Sequence, residues 1–521
     1  MPASDFETNQ DGFKTDDHRV HDGRELAQLR TSFLDTSLPL EGVGFETYLE
    51  RLRSHVFVGS ANLRSPLSVG HMTGTPHKFY QRLAADIVAL NQNMVKFEAS
   101  RALTMLERQV LGVLHRATFR ESEQFYRNYV QDCKSALGVF TSGGTLANIT
   151  ALWVARDRAL GCTTHFPGIS SEGLCPALLA HGYKSAVIVG SELAHYSFQK
   201  AAGVLGLGTH GFVEVPVSAE RRIDTDALQH VLDEQDAAGA CVLAIVGIGG
   251  TTDCGSIDPL SDLANVAEER GIFFHVDAAW GFPLLFSRKH ARKLEGIERA
   301  DSVSIDGHKQ FHIPVGSSIL LFRRPSEAHV IEQTANYMLQ DASGDLGKFT
   351  MEGSRPCAVV FWDAALRVIG SRQYGVLAEE SIRKAKHFAE MIAIRDEFEL
   401  VLEPQTNIVL YRYLPPGLRN RANGEVGGGG TGRRAADEEA LINACTERVH
   451  LAQSAAGRSY VSRTRIRKRG TSDTPVTALR AVILNPNTAE HHLRSVLDEQ
   501  SVLGSQIWPA MGRSLSFRNG G

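Results

Sequence analysis

The sequence predicts an α/β fold, a mostly parallel sheet flanked by helices, with a helical N-terminal segment and a small α+β C-terminal domain. Three observations lead there. Between about 136 and 325, short β-branched or apolar runs alternate with helical stretches, as in chained βαβ units. The runs Ala186–Val189, Val242–Val246, Ile272–Val276, Ser302–Ile305 and Ser318–Phe322 are apolar enough for strands buried on both faces. The chain has 521 residues, 43% hydrophobic and 22% charged, so it can bury a large core without disulfides.

The elements divide the chain as follows. Residues 1–40 read as a flexible or loosely docked arm. Residues 41–135 read as mostly helical: the stretch RLAADIVALNQNMVKFEASRALTMLERQVLGVLHRA carries apolar residues at helical spacing, with a polar interruption near Asn91–Asn93. Residues 136–385 form the large α/β domain, ending in a loop and a long helix. Residues 386–521 form the small C-terminal domain, with a Gly-rich insert near 424–432.

Composition narrows the function. The net charge of −4 marks neither a nucleic-acid nor an anionic-membrane partner. Seven scattered cysteines without CxxC spacing argue against a disulfide framework and a zinc site, so no metal is expected. The N-terminus has no basic-then-apolar leader, and no run of 18 apolar residues occurs. The expectation is a cytoplasmic protein without a membrane partner.

Four motifs carry chemistry. In Ser304-Ile-Asp-Gly-His-Lys309 an apolar strand runs straight into a lysine, which the edge of an α/β sheet can present to a ligand. Deprotonated, its amine can form a Schiff base with an aldehyde; otherwise it is a surface lysine in a turn. In His275-Val-Asp-Ala-Ala279 an aspartate ends a buried strand. It needs a partner, which a protonated pyridine nitrogen or a helix cap would supply. In Thr141-Ser-Gly-Gly-Thr-Leu-Ala-Asn148 a Gly/Ser/Thr turn opens a helix. Its free amides and dipole suit a phosphate, although an ordinary capped helix start has the same form. The turn is neither a Walker A loop nor a GxGxxG fingerprint, so ATP and NAD fit it less well. His195, after the run AVIVG, can lie over an aromatic ring or serve the fold alone.

In this order the motifs resemble the group II pyridoxal-5'-phosphate (PLP)-dependent amino-acid decarboxylases of fold type I, over roughly residues 50 to 510. The resemblance implies PLP as cofactor, Lys309 as its Schiff-base lysine and Asp277 as partner of the pyridinium nitrogen. It implies His195 on one face of the ring and Ala279 on the other. Gly144 and Thr145 contact the phosphate, with Ser142 and Gly143 in the same turn. Thr251 matches a threonine near the cofactor, and His308 precedes the lysine as in the family. Asp306 departs from the pattern: several members carry there an asparagine that helps bind phosphate, whereas a carboxylate is repelled by it. Tyr337 matches a loop tyrosine that protonates the carbanion; it can equally be a packed aromatic. His71 and Thr73 lie in a segment like one that lines the substrate pocket. Arg480 resembles an arginine that clamps a substrate carboxylate, and otherwise serves an ion pair.

GHMTGTP, LNQNMVKFEASRALTMLERQVLG, DGHKQFHIPVG and SGDLGKFTMEGSRP look closest to the aspartate 1-decarboxylase subfamily. Its members convert L-aspartate to β-alanine, a precursor of pantothenate and coenzyme A. A glutamate decarboxylase giving GABA is the alternative. Another PLP enzyme on the same fold, or a catalytically inactive homologue acting as a regulatory partner, stands further off. Fold-type-I enzymes usually dimerise, so the resemblance also implies a homodimer acting on a small amino acid.

Overall fold

The computed structural model describes residues 19–335, 344–418, 432–467 and 475–516. The chain forms two compact units, Pro76–Glu379 and Met1–Thr75 with Glu380–Gly521. The stretch 41–135, read as one helical segment, is thus divided at Thr75.

The Pro76–Glu379 unit is built on a seven-stranded sheet in the order β1-β7-β6-β5-β4-β2-β3. Its strands are β1 Gly138–Thr141, β2 Ser185–Ser191, β3 Phe212–Val215, β4 Ala240–Ile248, β5 Phe273–Asp277, β6 Ser302–Asp306 and β7 Ser318–Phe322. All five apolar runs are strands here. β1 and β3 went unread because they are only four residues long. Strands β3, β2, β4, β5 and β6 run parallel to one another. β7 is antiparallel to both β6 and β1, because a short return from Asp306 to Ser318 leaves no room for a crossover helix. Two reversals bring β1 back into the common direction. The C-terminal ends of β1, β2, β4, β5 and β6 therefore share one edge, where α/β sheets bind ligands.

Helices cover the strands. Gly144–Ala159 (α1) follows β1, Ser197–Val204 (α2) follows β2, Thr225–Ala238 (α3) precedes β4 and Leu260–Arg270 (α4) precedes β5. Gly239 and Gly271 end α3 and α4 in the left-handed conformation that a residue without a Cβ adopts readily. The N-terminal helices of the unit, Phe79–Leu90 and Ala102–Phe119, are separated where the sequence turns polar. Asn91, at φ 44°, closes the first of them.

The other unit carries a four-stranded antiparallel sheet in the order β10-β11-β9-β8, from β8 Phe398–Leu402, β9 Ile408–Tyr413, β10 Ser462–Ile466 and β11 Val476–Val482. Its core joins Val69, Phe388, Val409, Tyr411, Leu479 and Leu493. Val20, in this unit, is buried and donates its amide to the Gly457 carbonyl at 2.8 Å. The Gly-rich insert lies outside the described residues except for Gly432, where a helix begins. Among the described residues no helix is long and apolar enough to cross a membrane, and no cluster of His, Cys, Asp or Glu could hold a metal ion.

Candidate active site

At the common edge of the seven-stranded sheet lies a cavity of about 330 Å³. Each strand end contributes to it by the same logic. A buried strand must end at the sheet edge, and the residue just beyond it is the first free to face a ligand.

Beyond β1, Ser142, Gly143, Gly144 and Thr145 line the cavity as the chain turns into α1. The amides of the first turn have no intrahelical acceptor, and the helix dipole adds positive potential there. Ser142 already donates its amide to the Glu352 carboxylate at 3.1 Å, so this turn accommodates an oxyanion. Gly144 is required by close approach: a Cβ there would lie 2.8 and 2.9 Å from the two carboxylate oxygens of Asp306.

At the end of β5, Asp277 is buried and hydrogen-bonded through both oxygens. Its Oδ2 accepts from Asn148 Nδ2 at 2.9 Å, and its Oδ1 accepts from the Ala279 amide at 3.0 Å and from Ser304 Oγ at 3.3 Å. These donors offset the cost of burying a carboxylate and hold it at the cavity wall. Burial pushes the neighbouring His275 down to about 4, against the opposing pull of Asp277, so its imidazole is neutral.

Beyond β6, Gly307 allows the tight return: a Cβ would lie 2.7 Å from the Ser317 carbonyl oxygen. Lys309 follows, its Nζ 3.0 Å from Asp306 Oδ2. Gln310 Nε2 donates to the Trp280 carbonyl at 2.7 Å, tying the loop after Lys309 to the loop after Asp277. The departure at Asp306 thereby resolves: its carboxylate turns to Lys309 and to the Ser318 hydroxyl. Burial alone would raise its pKa, but Lys309, His308 and Ser318 outweigh that and hold it below the usual carboxylate range.

His195 lies between β2 and α2, half-buried, and lines the same cavity. Its pKa is lowered, first by burial and then by Lys309 and Lys200, with Asp277 and Asp306 pulling the other way. Ala279 and His308 complete the expected lining.

Three expectations need correction or lie elsewhere. Thr251 does not line the cavity. Its hydroxyl is turned to Cys254 Sγ at 3.2 Å and Ser256 Oγ at 3.0 Å, and it is the next residue, Thr252, that faces the site. His71, Thr73 and Arg480 belong to the other unit, where they are close together. His71 Nδ1 accepts from the Thr73 amide at 3.1 Å, and Arg480 Nη1 donates to Ser462 Oγ at 3.0 Å. Burial lowers the pKa of His71, and the Arg480 guanidinium lowers it further. Tyr337 lies outside the described residues.

Sequence reasoning missed Asn148 and Trp280, both of which line the cavity. Asn148 had a signal: it lies one helical turn beyond Gly144, on the face of α1 that meets the turn. Trp280 follows HVDAA directly but has no side-chain chemistry that would single it out.

These groups form a donor set that fits PLP. Anion-binding amides and an amine share one cavity with a buried carboxylate suited to a protonated ring nitrogen, and with an imidazole and a small alanine suited to the faces of a flat ring. The comparisons with known proteins agree. Residues 61–414 match the model of the pyridoxal-dependent decarboxylase conserved domain. The chain is 38% identical to an aspartate 1-decarboxylase of Aliivibrio fischeri over 94% of this chain and 88% of that protein. It is 27% identical to an L-2,4-diaminobutyrate decarboxylase of Acinetobacter baumannii over 77% of each. The fold matches the crystal structure of mouse CSAD in apo form with a TM-score of 0.79, 24% identity and 93% of each chain covered. The chain is a member of the pyridoxal-dependent decarboxylase family, a PLP-dependent carboxy-lyase of fold type I.

Proposed function

We propose that this enzyme removes the α-carboxylate of L-aspartate, giving β-alanine and CO2, and that it works as a cytoplasmic homodimer. The observation that carries the substrate is the likeness to the Aliivibrio fischeri aspartate 1-decarboxylase over nearly the whole chain. Arg480 supports it, because a buried guanidinium is matched in charge and shape to a side-chain carboxylate.

PLP, when bound, supplies an electron sink for the pair left at Cα as the carboxylate departs. The chain's residues do the rest. Lys309 Nζ would hold the cofactor covalently. Asp277 would keep a proton on the ring nitrogen and is itself kept in place by Asn148, Ser304 and the Ala279 amide. The turn Ser142–Thr145 anchors the phosphate. His195 and Ala279, which line the cavity, would hold the ring, and His308 lines the wall beside Lys309. Arg480, with His71 and Thr73, recognises the side chain of the substrate. Tyr337 returns a proton to Cα.

Two measurements test the reading. Borohydride reduction of the PLP-loaded protein, followed by peptide mass spectrometry, places the adduct on Lys309, and Lys309→Ala carries none and loses ~10³-fold or more in turnover. β-Alanine release from aspartate exceeds GABA release from glutamate. The opposite ranking moves the assignment to a glutamate decarboxylase, and an adduct on another lysine refutes the site.

A further inference from the structure

Beneath the cavity runs a chain of polar groups that links the two residues proposed to face the cofactor. Asn148, on α1, is 1% exposed. Its Nδ2 donates to Asp277 Oδ2 at 2.9 Å and to Ser197 Oγ at 3.0 Å, and its Oδ1 accepts from His275 Nε2 at 3.1 Å. The carboxylate decides which way the amide points: a flipped Asn148 would turn its oxygen to Asp277, a repulsive contact.

Proton positions follow outward from that choice. His275 must carry its proton on Nε2 to donate to Asn148, so its Nδ1 accepts from Ser302 Oγ at 2.8 Å. Ser197 Oγ accepts from Asn148, which leaves its single hydrogen for His195 Nδ1 at 2.9 Å. The Ser197 amide also approaches His195 Nδ1, at 3.3 Å. Both contacts require that nitrogen to be bare, so the neutral ring carries its hydrogen on Nε2.

From this we infer that Asn148 is a positioning residue for decarboxylation: one side chain orients the Asp277 carboxylate and, through Ser197, fixes His195 as the Nε2–H tautomer. One amide therefore sets the partner of the ring nitrogen and the imidazole beside it in a single geometry. Burial of His275 keeps it neutral, so the chain holds its direction. The inference rests on reading the cavity as the PLP site.

The test uses the PLP-loaded full-length enzyme with ring-15N-labelled histidine. The His195 signals are identified by their loss in His195→Gln. In the wild type, Nδ1 reads as unprotonated and Nε2 as protonated. In Asn148→Ala the Ser197 hydroxyl is released and the two tautomers mix. Ser197→Ala, a milder change, also mixes them while leaving Asp277 held. Turnover falls ~10–100-fold in Asn148→Ala with KM changed less than about twofold, and Asn148→Ser, which retains one donor, recovers part of the loss. A His195 protonated on Nδ1 in the wild type overturns the inference, and so does an Asn148→Ala enzyme with wild-type tautomer and turnover. If Asn148→Ala does not fold, the wild-type and Ser197→Ala spectra still decide. Borohydride labelling of Lys309 separates the two levels: a labelled Lys309 with an unperturbed His195 sinks only this inference, whereas an unlabelled wild type sinks the PLP site itself.

Discussion

The two units place their chemistry by opposite means. In Pro76–Glu379 the groups stand just beyond the ends of mostly parallel strands: the turn after β1, His195 after β2, Asp277 at the end of β5 and Lys309 after β6. In the other unit, Arg480 sits mid-strand in β11, flanked across the sheet by Ser462 on β10 and Leu410 on β9. Strand ends deliver different side chains to a common edge, so the first arrangement suits a large cofactor with chemically distinct parts. A mid-strand arginine is held by a ladder on both sides, which suits one stiff, charged contact with a small ligand. Under the proposed function, cofactor handling and substrate selection therefore separate under mutation.

The sharpest break is Arg480→Lys. An ammonium cannot reproduce the planar fork of the guanidinium, so KM for aspartate rises by ~10²-fold. The visible absorption and cofactor affinity stay as in the wild type. A variant that loses PLP instead erases the division of labour. The converse is Gly144→Ala. The added methyl group meets the Asp306 carboxylate at 2.8 Å, crowding the phosphate turn and pushing Asp306 off Lys309. Cofactor affinity, titrated on the apoprotein, drops about tenfold, with KM for aspartate near wild type once loaded.

The smallest effect concerns stability of the cofactor-bearing unit. Burial pushes His115 and His275 from 6.5 down to about 4. The unfolded chain takes up these protons near pH 6.5 and the folded chain only near 4. Stability is therefore fully present above that window and is lost as pH falls through it, by up to about 1.4 kcal/mol per pH unit for each histidine. Asp258, raised by burial to about 6, opposes part of the slope. His115 is bonded to Tyr126 and the Arg323 carbonyl rather than to the site. His115→Gln therefore flattens the acid side of the thermal-unfolding profile and leaves turnover unchanged. An unaltered slope would show that His115 does not titrate as its burial implies.

Much of the candidate cavity's lining was legible because its residues sit in short contiguous motifs at the ends of apolar runs. DSVSI before Gly-His-Lys309 and the run before HVDAA each announce a strand and the group it presents. Thr251 sits between the lining residues Gly250 and Thr252 with its hydroxyl on Cys254 and Ser256, and letters alone do not say which of the two adjacent threonines lines the cavity. Asp306 was flagged as a conflict with phosphate, but its resolution required the lysine three residues on to fold back over it.

By itself the chain determined the strand ends, the glycine turn and the acid, imidazole and amine that follow them, since strand formation and the exposure of the next residue are local events. Only the tertiary structure decided how those ends align along one edge, which of Thr251 and Thr252 faces the cavity, and that Asn148 couples Asp277 to His195. Those outcomes depend on register between strands and on the orientation of a buried amide among partners 49, 127 and 129 positions away in the chain. Separations of that size are closed by packing of the whole sheet, and no local pattern encodes them.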